Sequence, residues 1–300
     1  VGALQDEPLF SPALRQPRSL REAWELKSAC AEQAVYVSGG TLLRTQWEAG
    51  TAAVPQVLID LRNIAGMEDV TRDDDYLTIG SLVTLTACRR SGALASAGPA
   101  AAEAARQIAA PAVRNLATLG GNIASGYGDI LPALLVHDAE LAVYDGNLLR
   151  VQPVEAWLER RWSGAIPPAE LVAGVRLPLD QGSGGSRLAV FRKVGRREAF
   201  TASLVTIAVT ADWDAAARTL RRVRLAAGGG SGRPQRLAAA EALLEGAELS
   251  RSLLGAVYEA VEHGFASYDD PFAGEQYKKK TAGNLIVSEL WQTLELKARS

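Results

Sequence analysis

The stretch "VYVSGGTLLRTQ", residues 35 to 46, constrains this chain more than any other. Val35, Tyr36 and Val37 suit a strand, Leu42-Leu43-Arg44 begin a helical pattern, and Ser38, Gly39, Gly40 and Thr41 stand between them. Paired glycines in a strand-to-helix turn let the backbone approach a neighbour or a ligand more closely than a Cβ would allow. A second pair occurs in "RNLATLGGNIASGYGD", residues 114 to 129. Neither pair is a Walker phosphate loop, because Gly-Lys-Ser/Thr does not follow Gly39 at the required spacing, and neither closes a GxGxxG fingerprint. Taken singly, each is an ordinary turn. Taken together, Gly39-Gly40-Thr41 and Thr118-Leu119-Gly120-Gly121-Asn122 offer bare N–H groups with a hydroxyl nearby, a neutral cradle for a pyrophosphate if the two converge. Asp129 follows shortly, a carboxylate able to accept from a sugar or a ring N–H.

Bulk properties narrow the alternatives. Three hundred residues suggest two or three domains. With 48% apolar and 22% charged residues, the composition is that of a soluble globular protein. A formal charge of −2 argues against nucleic-acid or anionic-membrane binding as the main task. No apolar run approaches the roughly 18 residues of a membrane span, and "VGALQDEPLF" is not a secretory signal, so a cytoplasmic location is expected. The start at Val1 rather than Met leaves room for a leader. Cys30 and Cys88 cannot supply the four ligands of a cluster or a structural zinc. His137 and His263 stand isolated and read as structural or surface residues, so the chain is expected to hold no metal by itself.

Residues 19 to 31 form an amphipathic helix with Ser19 as cap, and "VLIDLRNI" is a strand ending near Asp60. Hairpins are expected at Asp73-Asp74-Asp75 and at Asp145-Gly146. Thr84 caps a short helix, and "AAAEAARQIAA" is a helix ended by Pro111. Residues 180 to 187, "DQGSGGSR", read as a linker. Beyond it come three strands, then helical "PQRLAAAEALLEG", "LLGAVYEAVEHGF" and the final segment. The expected architecture is therefore a mixed α/β region over 1–180, in two subdomains of about 1–60 and 61–180, and an α+β C-terminal domain over 188–300. "GGGSGRP" at 228 to 234 reads as a structural turn, and Lys278, Lys279 and Lys280 as facing solvent or a partner. Trp47 and Trp162 read as core or interface residues.

The succession "SGGTLL", "LIDLRNI", "LTIGSLVTLT", "APAVRNLATLGGNIASGYGDILPALLVHDAELAV", "FRKVGRREAFTASLV" and "RLAAGG" resembles, nearly end to end, the FAD-binding subunit of the molybdenum hydroxylases, the xanthine dehydrogenase and carbon monoxide dehydrogenase family. "RNLATLGGNI" is its most specific piece. The resemblance implies a vanillyl-alcohol-oxidase-type FAD-binding domain followed by a smaller C-terminal domain. It places Ser38, Gly39, Gly40, Thr41 and Leu42 in a first pyrophosphate-binding loop. Thr118, Gly120, Gly121 and Asn122 fall in a second, with Pro111, Val113 and Ala117 on its approach. Asp129 matches the acidic residue near the flavin, and Leu177, Arg192 and Lys193 match positions bordering the ring.

The resemblance also implies partners. Molybdopterin would sit on a large subunit and 2Fe–2S clusters on a small one, in a dimer of heterotrimers, with this chain passing electrons through FAD to NAD⁺ or another acceptor. No residue here is expected to be a catalytic acid or base. Xanthine is the first substrate to expect for the complex, with carbon monoxide, aldehydes and N-heterocycles as alternatives. A stand-alone flavoprotein oxidase would need its own catalytic set, which the scarcity of histidine disfavours. A scaffold that has lost FAD is disfavoured by the intact glycine loops.

Overall fold

The structure is a computed structural model that describes residues 11–180, 186–195, 203–214 and 217–298. Most of the expected linker, and Arg196 and Arg197, lie outside the described residues. Three sheets organise the described residues.

The first sheet holds β1 (Ala13–Arg15), β2 (Ala34–Val37) and β3 (Val57–Asp60) in the order β1-β3-β2, all parallel. Parallel neighbours need crossovers, and the helices Leu20–Cys30 and Thr41–Glu48 supply them. Ser19 opens the first helix, its Oγ accepting from the Glu22 N–H at 3.1 Å. Ala23, Ala34 and Ile59 make a small core, closed by Leu82 and Leu171 from the next layer.

The second sheet is antiparallel, with β4 (Val70–Arg72), β5 (Tyr76–Gly80), β6 (Glu140–Tyr144), β7 (Leu149–Pro153) and β8 (Leu171–Pro178) in the order β4-β5-β8-β6-β7. Both hairpins sit at their expected aspartates. Asp73 Oδ1 accepts from the N–H groups of Asp75 and Tyr76, and Asp145 Oδ1 from those of Asn147 and Leu148. Between β5 and β6 a run of short helices carries the second glycine pair. Pro111 does not end the alanine-rich helix: Pro99–Gln107 stops earlier, Ala109 adopts φ 56°, and Pro111 opens the next helix, Pro111–Arg114. At that first position the missing N–H would have been unbonded in any case.

The third sheet is again antiparallel, with β9 (Ser186–Gly195), β10 (Ser203–Asp214), β11 (Thr219–Gly229) and β12 (Gly232–Arg236) in the order β12-β11-β10-β9. Its central strand reads "SLVTIAVTADWD" with little alternation because both faces are buried. Phe191, Ala208 and Ala226 stand side by side on one face and join the core of the second layer. Val190, Val209 and Leu225 occupy the other face and join a separate core with the helices Arg251–Gly264 and Glu275–Ala298. The reading of "PQR" as the start of a helix is corrected: Gln235 and Arg236 pair with Ala227 and Ala226 in β12, and the helix begins at Ala238. Leu225 and Ala226 are fully buried, so the strand edge beside them needs a pairing partner before any helix can start.

Candidate functional site

At the end of β2, Ser38 and Gly39 lead into Gly40, which sits at φ 65° immediately before the helix Thr41–Glu48. No side chain caps this helix, and the N–H groups of Gly40, Thr41 and Leu42 have no acceptor among the described residues. Free donors at the positive end of a helix dipole suit an anion.

The second loop lies directly against the first. A Cβ on Gly39 would fall on the carbonyl oxygen of Leu116, so two backbones touch at this point. Ser38 Oγ and Thr118 Oγ1 share a hydrogen bond of 2.9 Å. A Cβ on Gly121 would stand 3.1 Å from Thr118 Oγ1 and 3.2 Å from Ser38 Oγ. From behind, the Leu85 N–H donates to Ala117 O and the Leu119 N–H to Val83 O. Arg114, largely buried, reaches back to the carbonyls of Ile108 and Ala109 and fixes the approach formed by Pro111 and Val113. The two glycine pairs therefore converge.

Their donors are not equivalent, which corrects the expectation of two bare N–H sets. The Gly120 N–H is spent on Ser81 O at 2.8 Å, and the Gly121 N–H on Thr118 Oγ1 at 3.1 Å. Thr118 is the N-cap of the helix Leu119–Ala124, so its hydroxyl satisfies the first-turn donor itself. Asn122 also turns inward, its Oδ1 accepting from the Ile130 N–H at 3.3 Å and bracing the turn that carries Asp129. Around the junction Leu42, Val113 and Leu116 remain exposed, giving it an apolar rim.

Asp129 is gripped from the third sheet. Lys193 Nζ lies 2.9 Å from Asp129 Oδ2, with both side chains largely buried. Ser203 Oγ donates to Asp129 Oδ1 and in turn accepts from the Gly230 N–H at 3.4 Å. Arg192 takes the opposite face of β9 and forms a bidentate pair with Glu289, at 2.7 and 3.0 Å. Alternation along a strand allows only one of this pair to face Asp129, and that one is Lys193. Leu177 is fully buried in the core of the second layer, where its side chain would meet a Cβ on Gly98. The structure thus joins Ser38, Gly39, Thr118 and Gly121 at one junction and Asp129 with Lys193 nearby, and it sets Arg192 and Leu177 apart from both.

Sequence reading gave no role to Ser81 and Ser203, although both lie in quoted segments, and it read the turn at Gly229-Gly230 as structural, which the structure shows it to be. A Cβ on Gly229, at φ 89°, would stand 2.7 Å from Thr206 N and 2.9 Å from Ser203 Oγ, so this turn packs on the residue that holds Asp129. The lysine expectation fails in part. Lys278 is fully buried, its ammonium donating to Ser231 Oγ at 2.7 Å, to Tyr268 O at 2.8 Å and to the Asp270 carboxylate. Burial pushes the Asp270 carboxyl up, but hydrogen bonds from Lys278 and from the Phe272 and Ala273 N–H groups outweigh it and hold the carboxyl at about 2. Lys279 pairs with Glu275 along the helix, and Lys280 is exposed.

His137 is structural. Its Nε2 accepts from the Ala100 N–H at 3.2 Å, and burial pushes its pKa down to about 3, so the ring stays neutral. Burial raises the Cys88 thiol to about 12, which makes it unreactive. No group of three or more His, Cys, Asp or Glu among the described residues could hold a metal. No helix of the described residues is long and apolar enough to cross a membrane.

Comparison with known proteins places this arrangement. Residues 10–180 match the family model described as the FAD binding domain in molybdopterin dehydrogenase. Residues 189–293 match the model described as the CO dehydrogenase flavoprotein C-terminal domain. The nicotine 6-hydroxylase medium subunit of Paenarthrobacter nicotinovorans is 28% identical over 92% of this chain and 95% of its own length. The carbon monoxide dehydrogenase medium chain of Hydrogenophaga pseudoflava is 28% identical over 88% of this chain and 93% of its own. The solved CO dehydrogenase from Oligotropha carboxidovorans superposes with a TM-score of 0.85 over 97% of this chain and 99% of that one, at 23% identity, a likeness of fold.

Proposed function

Because the chain belongs to the FAD-binding subunit family of the molybdopterin dehydrogenases, we propose that it works as the electron-transfer flavin subunit of a molybdenum hydroxylase complex. The observation that carries this is the junction of the two glycine loops. Uncapped N–H groups at the helix Thr41–Glu48 stand against a second loop whose own donors are satisfied, which leaves one anion-binding face. That face suits a diphosphate without a basic clamp, and an exposed apolar rim of Leu42, Val113 and Leu116 suits a large planar ligand.

In this reading Ser38, Gly39, Gly40, Thr41 and Leu42 bind the FAD diphosphate, and Thr118 with Gly121 forms the opposing wall. Asp129, oriented by Lys193 and Ser203, accepts a hydrogen bond from the ligand, and Lys193 keeps a cation beside it. FAD, when bound, supplies the conversion between one-electron and two-electron transfer. The protein's part is to hold it, orient it and leave one edge accessible. Partners of this subunit would be a molybdopterin-binding large subunit and a 2Fe–2S small subunit, assembled as a dimer of heterotrimers in the cytoplasm, with NAD⁺ or another final acceptor. The large subunit would set the substrate. Xanthine is one proposal, and an N-heterocycle of the nicotine type is another, supported by a relative that matches over nearly its whole length.

The test is an absorbance spectrum of the purified full-length chain, followed by denaturation and identification of the released chromophore. About one FAD per chain is expected. A colourless chain that also fails to take up added FAD would overturn the reading.

A further inference from the structure

The geometry points to the helix Glu275–Ala298 as the brace of the Asp129 carboxylate, with Lys278 and Glu289 as positioning residues for the two donors that hold it. The inference rests on the flavin reading above, in which Asp129 meets FAD. Lys278 and Glu289 stand eleven positions apart, about three turns, and so share one face of the helix. Ala282 and Ile286 lie between them on that face, fully buried in the core that the helix makes with the third sheet. Lys278 is itself fully buried, and Glu289 is 9% exposed. Charges in an apolar stripe are a poor way to dock a helix, because well-packed apolar residues in their place are often neutral or stabilising. Their partners show what the charges reach.

Lys278 reaches one oxygen of Asp129. Its ammonium donates to Ser231 Oγ at 2.7 Å and to the Asp270 carboxylate, and both acceptors bear on the turn between β11 and β12. A Cβ on Gly230 in that turn would stand 3.3 Å from Asp270 Oδ2, so the carboxylate lies against its backbone. The Gly230 N–H donates to Ser203 Oγ at 3.4 Å, and the single proton of that hydroxyl goes to Asp129 Oδ1. Glu289 reaches the other oxygen. It accepts two hydrogen bonds from Arg192 on β9, at 2.7 and 3.0 Å. The next residue, Lys193, takes the opposite face of the strand and lies 2.9 Å from Asp129 Oδ2. One helix therefore sets Ser203 through a turn and Lys193 through a strand, and the two donors together aim the carboxylate.

The experiment titrates FAD into the full-length chain stripped of it, followed by flavin fluorescence, and records the flavin absorption bands of the loaded chain. Ser231→Ala keeps the Lys278–Asp270 pair and removes the ammonium's bond to the turn, and Glu289→Gln removes the ion pair with Arg192 at constant size. Each should weaken FAD about threefold to tenfold and shift the flavin bands. Lys278→Met should do so more strongly, with part of the loss recovered in Lys278→Arg; should Lys278→Met fail to fold, the other two variants carry the test. In a Ser203→Ala background Ser231→Ala should add nothing to the loss of affinity, whereas Glu289→Gln should keep its effect, since it acts through Lys193. Wild-type affinity and bands in both Ser231→Ala and Glu289→Gln, with only the melting temperature lowered, would overturn the inference and leave the two charges as anchors of the helix. A full additional loss from Ser231→Ala in the Ser203→Ala background would overturn it as well. Wild-type affinity in Asp129→Asn would remove Asp129 from the flavin site, and the inference with it. A wild-type chain that takes up no FAD would strike the underlying reading instead, before any variant is compared.

Discussion

The chain uses the same dipeptide twice at one junction for opposite purposes. Gly39-Gly40 ends a parallel strand and leaves the first N–H groups of a helix without acceptors. Gly120-Gly121 opens a helix too, but Ser81 and Thr118 consume its donors. In the proposed reading the first pair is the anion face, and the second backs it. Close approach requires glycine at Gly39, against Leu116, and at Gly120, against Ser81, whereas Gly40 is required by its positive φ, and only the first pair leaves its donors free. A Gly-Gly in a sequence therefore specifies closeness, and the neighbouring acceptors decide whether that closeness serves binding or packing.

The largest effect should come from Gly39→Ala, which sets a methyl group on Leu116 O. Both contacts are backbone and cannot rotate away. A destabilisation of about 3 kcal/mol is expected, and FAD binding on the order of 100-fold weaker if the strain is relieved by parting the loops. Urea melts and flavin retention on gel filtration would measure the two separately. A variant that keeps normal stability and normal retention would show that the loops do not touch in solution, and the comparison would collapse.

Thr118→Val should have a smaller effect. It removes the acceptor of the Gly121 N–H and the partner of Ser38 Oγ without adding bulk. Loss of the cap should cost about 1 kcal/mol. The freed Gly121 donor would then be able to face the ligand, so FAD affinity should fall by less than the stability loss suggests. An affinity loss as large as that of Gly39→Ala would mean that the second loop binds as well as packs.

How much of this was legible in the sequence followed the distance between partners along the chain. Ser19, Asp73, Thr84 and Asp145 all act within three residues of themselves, and each was readable as a cap or a turn. From the sequence the convergence of the two glycine loops follows only as a condition, and the ligand comes from the resemblance. Ser81 as the acceptor for Gly120 was illegible, because nothing local marks a carbonyl that will meet a distant glycine. The same holds for Ser203 and Asp129 and for Lys278, whose neighbours in "KKK" gave no reason to bury one of the three. Arg192 and Lys193 looked alike until the sheet acquired two buried faces. A core on each side then sent one to Glu289 and the other to Asp129.

Gly40→Ala should give the smallest effect and the sharpest test of what the first pair does. Gly40 has room: a Cβ there meets only Val37 Cγ1, at 3.6 Å. Its demand is conformational, since φ 65° lies in the left-handed region that alanine enters at a cost of about 1 kcal/mol. If the loop keeps its shape, Gly40→Ala should lower stability by that amount and leave FAD affinity nearly unchanged, because the N–H groups of residues 40 to 42 would still point the same way. Gly40→Asn, which tolerates this region better, should recover part of the stability. If instead Gly40→Ala binds FAD far more weakly while melting near the wild type, the alanine has relaxed out of the left-handed region and turned the donors aside. Affinity would then depend on one backbone angle at the end of β2, and the difference between the two glycine pairs would be one of direction as well as of free donors.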